Sequence, residues 1–308
     1  MPRRVLHSGS SLLLLCALFL PMAAQRKSDS GFDSADRERS FAKFVEIPGA
    51  ERLGSDQCRA CHEELGKSFR QSFHAQQSVD CEDCHGAGSL HFTSEKHESI
   101  IQFRKVKAEE ADGACLSCHA KSEHVRNWFS GAHQAQNVRC IDCHTIHARE
   151  AGKEGERRAI ESRRTLNEKC MSCHKKQDAQ SNLPYHHPVR EAKMTCIDCH
   201  DPHGGDAGNN LKASSANDLC LQCHAEYQGP FSYQHPPVSE DCMKCHSPHG
   251  SPNQNLLTVS QPALCLQCHS AHHNGSGLPL VDRCTNCHNA IHGSDIASAT
   301  GGSKFIDK

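Results

Sequence analysis

Ten copies of Cys-x-x-Cys-His consume twenty of the twenty-one cysteines in this 308-residue sequence. Their thiols are Cys58 and Cys61, Cys81 and Cys84, Cys115 and Cys118, Cys140 and Cys143, Cys170 and Cys173, Cys196 and Cys199, Cys220 and Cys223, Cys242 and Cys245, Cys265 and Cys268, and Cys284 and Cys287. The histidines that close them are His62, His85, His119, His144, His174, His200, His224, His246, His269 and His288. Residues three and four apart share a face of a helical turn, so both thiols and the imidazole can point the same way. That is what a covalently held haem needs: the thiols add to the two vinyl groups of one porphyrin and the imidazole reaches the iron. Zinc sites also use Cys-x-x-Cys pairs but have no reason to place His directly after the second Cys every time. A thioredoxin-like redox pair would occur once, beside a βαβ pattern that this chain does not show. The motifs therefore predict ten covalently bound haem c groups.

The second face of each iron needs its own ligand. Trailing histidines follow the even-numbered motifs at His91, His147, His203, His249 and His292, and His74, His133 and His235 stand seven residues before an even motif. In the third and fifth units the corresponding choices are His186 or His187 and His272 or His273, of which His187 and His273 are taken as ligands. His200 and His203 are too close in sequence to clasp opposite faces of one haem. Trailing histidines are thus expected to serve a neighbouring haem and to tie each unit together. His97, His124, His186 and His272 are then spare. Methionine would raise the potential, but Met171 and Met243 sit inside motifs, Met1 and Met22 belong to the leader, and only Met194 is free. The irons are expected to be bis-histidine, low spin and low in potential.

The elements that position these groups form an internal repeat, the feature to find before any fold assignment. Odd motifs (CRACH, CLSCH, CMSCH, CLQCH, CLQCH) are followed by a long gap holding a histidine, and even ones (CEDCH, CIDCH, CIDCH, CMKCH, CTNCH) by a close trailing histidine. The chain reads as five dihaem units. Aromatics are 5% of the residues, with Trp128 the single tryptophan, and much of the 36% hydrophobic content is cysteine. The haems must supply the core, and metal cofactors are one route by which such a chain folds. The expected fold is a multihaem cytochrome c: mostly coil with short α-helices wrapped around a linear chain of haems, with little or no β-sheet. Residues 1–24 read as a secretory signal, with a retained membrane anchor as the alternative, 25–55 as an arm, 95–112 and 149–164 as charge-rich insertions forming solvated connecting helices or else docking surfaces for a partner, and 293–308 as a tail. Cys16 lies within the leader.

The formal charge of −2 falls to −4 once Arg3 and Arg4 leave with the leader. Ten haems add about twenty propionate charges and about one positive charge per ferric centre, giving about −14 oxidised and about −24 reduced, softened by propionate protonation. Such a surface excludes nucleic acid as a partner.

The ten motifs in doubled units, the run GSDQCRACH at 54–62 and CEDCHGAGSLH at 81–91 resemble the periplasmic decahaem c-type cytochromes of outer-membrane porin–cytochrome conduits, the MtrA/DmsE type. The resemblance covers roughly 50–292. It implies two pentahaem modules, 56–185 and 186–292, and a periplasmic protein that enters an outer-membrane β-barrel porin. It further implies electron exchange with periplasmic and cell-surface redox cytochromes during extracellular or anaerobic respiration. A soluble periplasmic shuttle to a terminal reductase is the alternative function. A multihaem reductase is a third, but catalysis needs an iron with an open position, and fourteen candidate histidines for ten places force no vacancy.

Overall fold

The structure is a computed structural model that describes residues 41, 43–147, 156–205, 207–269, 283–286 and 288–296. Odd and even motifs are built differently. Each odd motif ends or continues a helix: α1 (Ser55–Cys61), α2 (Ala108–His119), α3 (Glu156–Met171), α4 (Ala216–Cys220) and α5 (Ala263–Leu266). Each even motif instead starts a turn directly from non-helical chain: the helix Cys81–His85, the single turn Cys140–Cys143, and 3-10 turns at Cys196–Asp198, Cys242–Lys244 and Cys284–Asn286. The aspartate of CEDCH and CIDCH explains that start. Asp83, Asp142 and Asp198 reach back to accept the backbone N–H of Asp80, Arg139 and Thr195, at 2.8, 2.9 and 2.8 Å, satisfying donors that a helix start leaves unpaired.

In both builds the histidine N–H closes onto the carbonyl of the motif's first cysteine, as from His62 to Cys58 (2.9 Å), His144 to Cys140 (2.8 Å) and His200 to Cys196 (3.0 Å). One α-turn therefore spans the motif whether or not a helix surrounds it. That turn is the local geometry the sequence required.

The polypeptide supplies little core. Among the described residues the buried apolar side chains are Phe69, Trp128, Leu116 and Leu257 with four alanines, and no large side chain is fully buried. The described residues contain no strand, only isolated bridges such as Tyr185 with Ser251 and Tyr233 with Ser294. Those bridges belong to a repeating contact in which the segment around one unit's middle histidine docks on the tail of the next unit. His133 Nδ1–H donates to Pro202 O and His187 Nδ1–H to Pro248 O, both at 2.8 Å. Just beyond, Gly204 packs on the Asn127 carbonyl and Gly250 on the Gln180 carbonyl, where no Cβ fits.

At Gly250, φ is +153°, a conformation that side chains rarely adopt. Gly250→Ala is thus expected to push the unit-four tail off unit three and cost about 2 kcal/mol or more. A thermal melt unchanged from the parent would contradict it.

Two sequence expectations change. From residue 43 the presumed arm is docked: Ser89 N–H donates to Glu51 O (3.1 Å), Glu51 N–H donates to Ser89 Oγ (2.8 Å), and Gly113 of α2 packs on Phe44. The insertion 95–112 is not merely a solvated connector either, because it contains the start of α2, where Ala111 and Asp112 are buried. Its charges obscured a face selected for contact with motif four. The leader, residues 25–40, residues 149–155 and the tail beyond 296 lie outside the described residues, as do His272, His273 and Cys287.

Candidate haem-binding sites

Among the described residues, nine motif histidines face a second, non-motif histidine across nearly constant gaps. The ring centres are 6.3 Å apart for His62–His91, 6.3 Å for His85–His147, 6.0 Å for His74–His119, 5.8 Å for His144–His203 and 6.0 Å for His133–His174. In the later units they are 6.0 Å for His200–His249, 6.4 Å for His187–His224, 6.1 Å for His246–His292 and 6.0 Å for His235–His269. Rings in van der Waals contact stack more closely. One metal held between two imidazole nitrogens by bonds of about 2 Å sets the ring centres roughly 6 Å apart. The donor set therefore fits an axially ligated iron at each of these nine motifs. Among the described residues no three His, Cys, Asp or Glu side chains converge on one point as zinc ligands would.

The protonation of the rings agrees with that chemistry. His85, His200 and His246 Nδ1 lie 2.8 Å from the carbonyls of Ile101, Asn209 and Asn255, and His91 Nδ1 lies 2.8 Å from Lys96 O. A carbonyl only accepts, so Nδ1–H donates to it and Nε2 is the nitrogen left to face a metal. Burial first, and the facing imidazole second, hold His144, His147, His249 and His292 below the ordinary histidine range, so they stay neutral. Aromatic side chains brace several rings: Phe103 meets His85 edge-on at 5.2 Å, and Trp128 lies 6.4 Å from His203.

The family model described as doubled CXXCH motif matches residues 186–229 and 235–274, and one described as cytochrome c-type protein NrfB-like matches 81–165. The sequence is 33% identical over 318 residues to multiheme cytochrome MtrA of Shewanella baltica (strain OS185), covering 94% of this chain and 92% of that protein. This chain belongs to the multihaem c-type cytochromes.

As a multihaem cytochrome it binds haem c covalently and transfers electrons. The doubled-motif matches join motif six with seven and motif eight with nine, a cut of the repeat one motif out of step with odd-then-even units. The pairing geometry explains why either cut is natural. Trailing histidines were expected to tie each unit together; in the structure only His91 faces a motif of its own unit. His147, His203, His249 and His292 face the even motif of the preceding unit, and the middle histidines His74, His133, His187 and His235 face the odd motif of the following one. Eight pairs therefore join consecutive units of the cytochrome. The reason is the docking of middle segment on next tail, which sets histidines from different units opposite one another.

His186 has both nitrogens engaged, by Leu183 O at 2.6 Å and Glu191 Oε1 at 3.2 Å, whereas His187 faces His224. His124 stands apart from the nine pairs in the 3-10 turn Glu123–Val125, and His97 lies 6.3 Å from His91 as a third ring at the first site. The carbonyls of Asn209 and Asn255, which orient His200 and His246, were missed in the sequence. Their signal is the asparagine nine residues after each motif histidine, in the left-handed region at φ 59° and 56°, where asparagine is among the few tolerant side chains.

The cytochrome's motifs also succeed one another without a gap. Cys58 lies close enough to Cys81, and Cys84 to Cys115, for their sulfur groups to interact. The same neighbour relation links Cys115 with Cys140, Cys143 with Cys170, and Cys170 with Cys196. It continues from Cys199 to Cys223, Cys220 to Cys242, Cys245 to Cys268 and Cys265 to Cys284. In space the motifs thus follow their order in sequence.

Proposed function

We propose that this cytochrome carries ten covalent haems and conducts electrons between the periplasm and the cell exterior through an outer-membrane porin. Each haem supplies a reversible one-electron iron couple. The chain anchors it through two cysteines, holds neutral imidazoles on both sides, and keeps each motif beside the next. In this reading His288, closed by His273, completes the set. Paired axial histidines leave no open position for substrate, which favours a carrier over an enzyme.

The observation that carries the reading is the unbroken succession of nine junctions from Cys58 to Cys284. A shuttle needs only a few accessible haems, whereas ten in series suit a protein that bridges an insulating layer. A bilayer excludes unpaired backbone groups, and no described helix is long and apolar enough to cross a membrane. The described chain, short helices joined by coil, would need a closed β-barrel around it.

Liposomes with external reductant and internal acceptor are expected to pass electrons only when the cytochrome and a β-barrel porin are both present. A protein that binds no barrel and reduces a periplasmic enzyme at full rate would replace the conduit with the soluble shuttle.

A further inference from the structure

Each even motif begins with a backbone donor that local capping does not reach. Asp80 accepts the N–H groups of Glu82 and Asp83, for example, but not that of Cys81. The remaining donor is taken from far along the chain, by a side chain three residues before the odd motif of the same unit. Cys81 N–H donates to Ser55 Oγ (3.1 Å), Cys140 N–H to Asp112 Oδ1 (2.8 Å), Cys196 N–H to Asn167 Oδ1 (3.0 Å) and Cys242 N–H to Asn217 Oδ1 (2.8 Å). In the fifth unit Pro262 occupies that place, and the neighbouring Gln261 Oε1 accepts Thr285 N–H at 3.2 Å. Ser55, Asp112 and Asn167 are buried.

The same staple recurs in four units across sequence separations of 25 to 29 residues, with its side chain changing from Ser to Asp and Asn, and the fifth unit makes a shifted form of it, Gln261 to Thr285, across 24. What these side chains share is an acceptor oxygen. A residue three before a cysteine lies on the cysteine's own helical face, so the bond draws together the first cysteines of the two motifs. Those are the thiols that interact within units: Cys58 with Cys81, Cys115 with Cys140, Cys170 with Cys196, Cys220 with Cys242 and Cys265 with Cys284. Asn167 and Asn217 also donate Nδ2–H, to Val189 and Met194 carbonyls at 2.8 and 3.0 Å and to Val238 and Ser239 carbonyls at 2.9 and 3.3 Å. One side chain thereby fixes the odd helix, the even turn and the segment that brings the middle histidine.

We infer that Ser55, Asp112, Asn167, Asn217 and Gln261 are positioning residues that set the separation of the two porphyrin anchor points in each unit, and so the electron step inside it. This rests on the electron-carrier reading and deepens it. The histidine pairs connect units to one another; the staple supplies the connection within a unit. Only the acceptor oxygen is required for it, as Asp112 shows.

The test uses the full haem-loaded protein with Asp112→Ala and Asp112→Asn, because Asp112 serves its staple through an acceptor oxygen that Asn keeps. Intact mass and low-spin resonance of the parent check the haem and ligand reading independently of the staple. Asp112→Ala is expected to retain ten haems and low-spin irons, alter the magnetic coupling between the centres at motifs three and four, and slow flash-initiated transfer through the protein. The slowing should be roughly tenfold, the scale on which small misplacements of reacting groups tell. Asp112→Asn, which keeps the oxygen, is expected to restore both coupling and rate. Three outcomes would overturn the inference: parental coupling and rate in Asp112→Ala, an Asn variant as impaired as the Ala variant, or loss of the haem at motif four, which would make the staple a requirement for attachment instead of spacing.

Discussion

Produced where its thiols remain free of porphyrin, the chain is expected to show no cooperative thermal transition and to be cleaved by protease along its whole length. The haem-loaded protein should resist both heat and protease. Among the described residues only four buried apolar side chains are larger than alanine, too few to offset the conformational entropy of ordering several hundred residues. Haem attachment is therefore coupled to folding, as metal binding is in small metal-dependent domains. Near-native helix content with slow amide exchange in the haem-free chain would show that the polypeptide carries its own core after all.

Removing one histidine should have an effect confined to one iron. In His203→Ala, all ten haems are expected to stay attached while one centre, that of motif four, turns from low to high spin and binds carbon monoxide when reduced. His203 faces His144 at 5.8 Å and lies on the far side of residue 185 in sequence. A fragment ending at residue 185, the proposed first pentahaem module, should show the same single high-spin centre, because it takes motif four away from its partner. His186→Ala provides the contrast: both its ring nitrogens are engaged by protein oxygens, so the low-spin count should not change. If His203→Ala remains wholly low spin, the pairing at motif four is wrong; if His186→Ala turns a centre high spin, the choice of His187 is wrong.

The chemistry of this protein was legible in its sequence because it is written in contiguous residues. A Cys-x-x-Cys-His run needs only one turn of chain to aim two thiols and an imidazole together, and the structure makes that turn in helical and 3-10 settings alike. The scarcity of apolar polypeptide core among the described residues and the alternation of odd and even units were equally readable, the first from composition and the second from the position of histidines after each motif. The sequence also preferred His187 to His186; the structure sets His187 opposite His224 and engages both nitrogens of His186 with Leu183 O and Glu191.

Which histidine meets which motif was decided by tertiary structure. The paired rings are 29 to 62 residues apart, and no local rule of spacing measures such a distance. It depends on how one unit stacks on the next, through contacts such as Gly204 against Asn127 and Gly250 against Gln180. The staples were invisible for a related reason. Ser55, Asp112, Asn167 and Asn217 look like ordinary helix-surface residues, and their role appears only when the backbone donor of another motif arrives beside them. Sequence determined what each site can bind, because covalent attachment is local; the fold decided how the sites are joined, because pairing and spacing are properties of surfaces that meet only after the chain has turned back on itself.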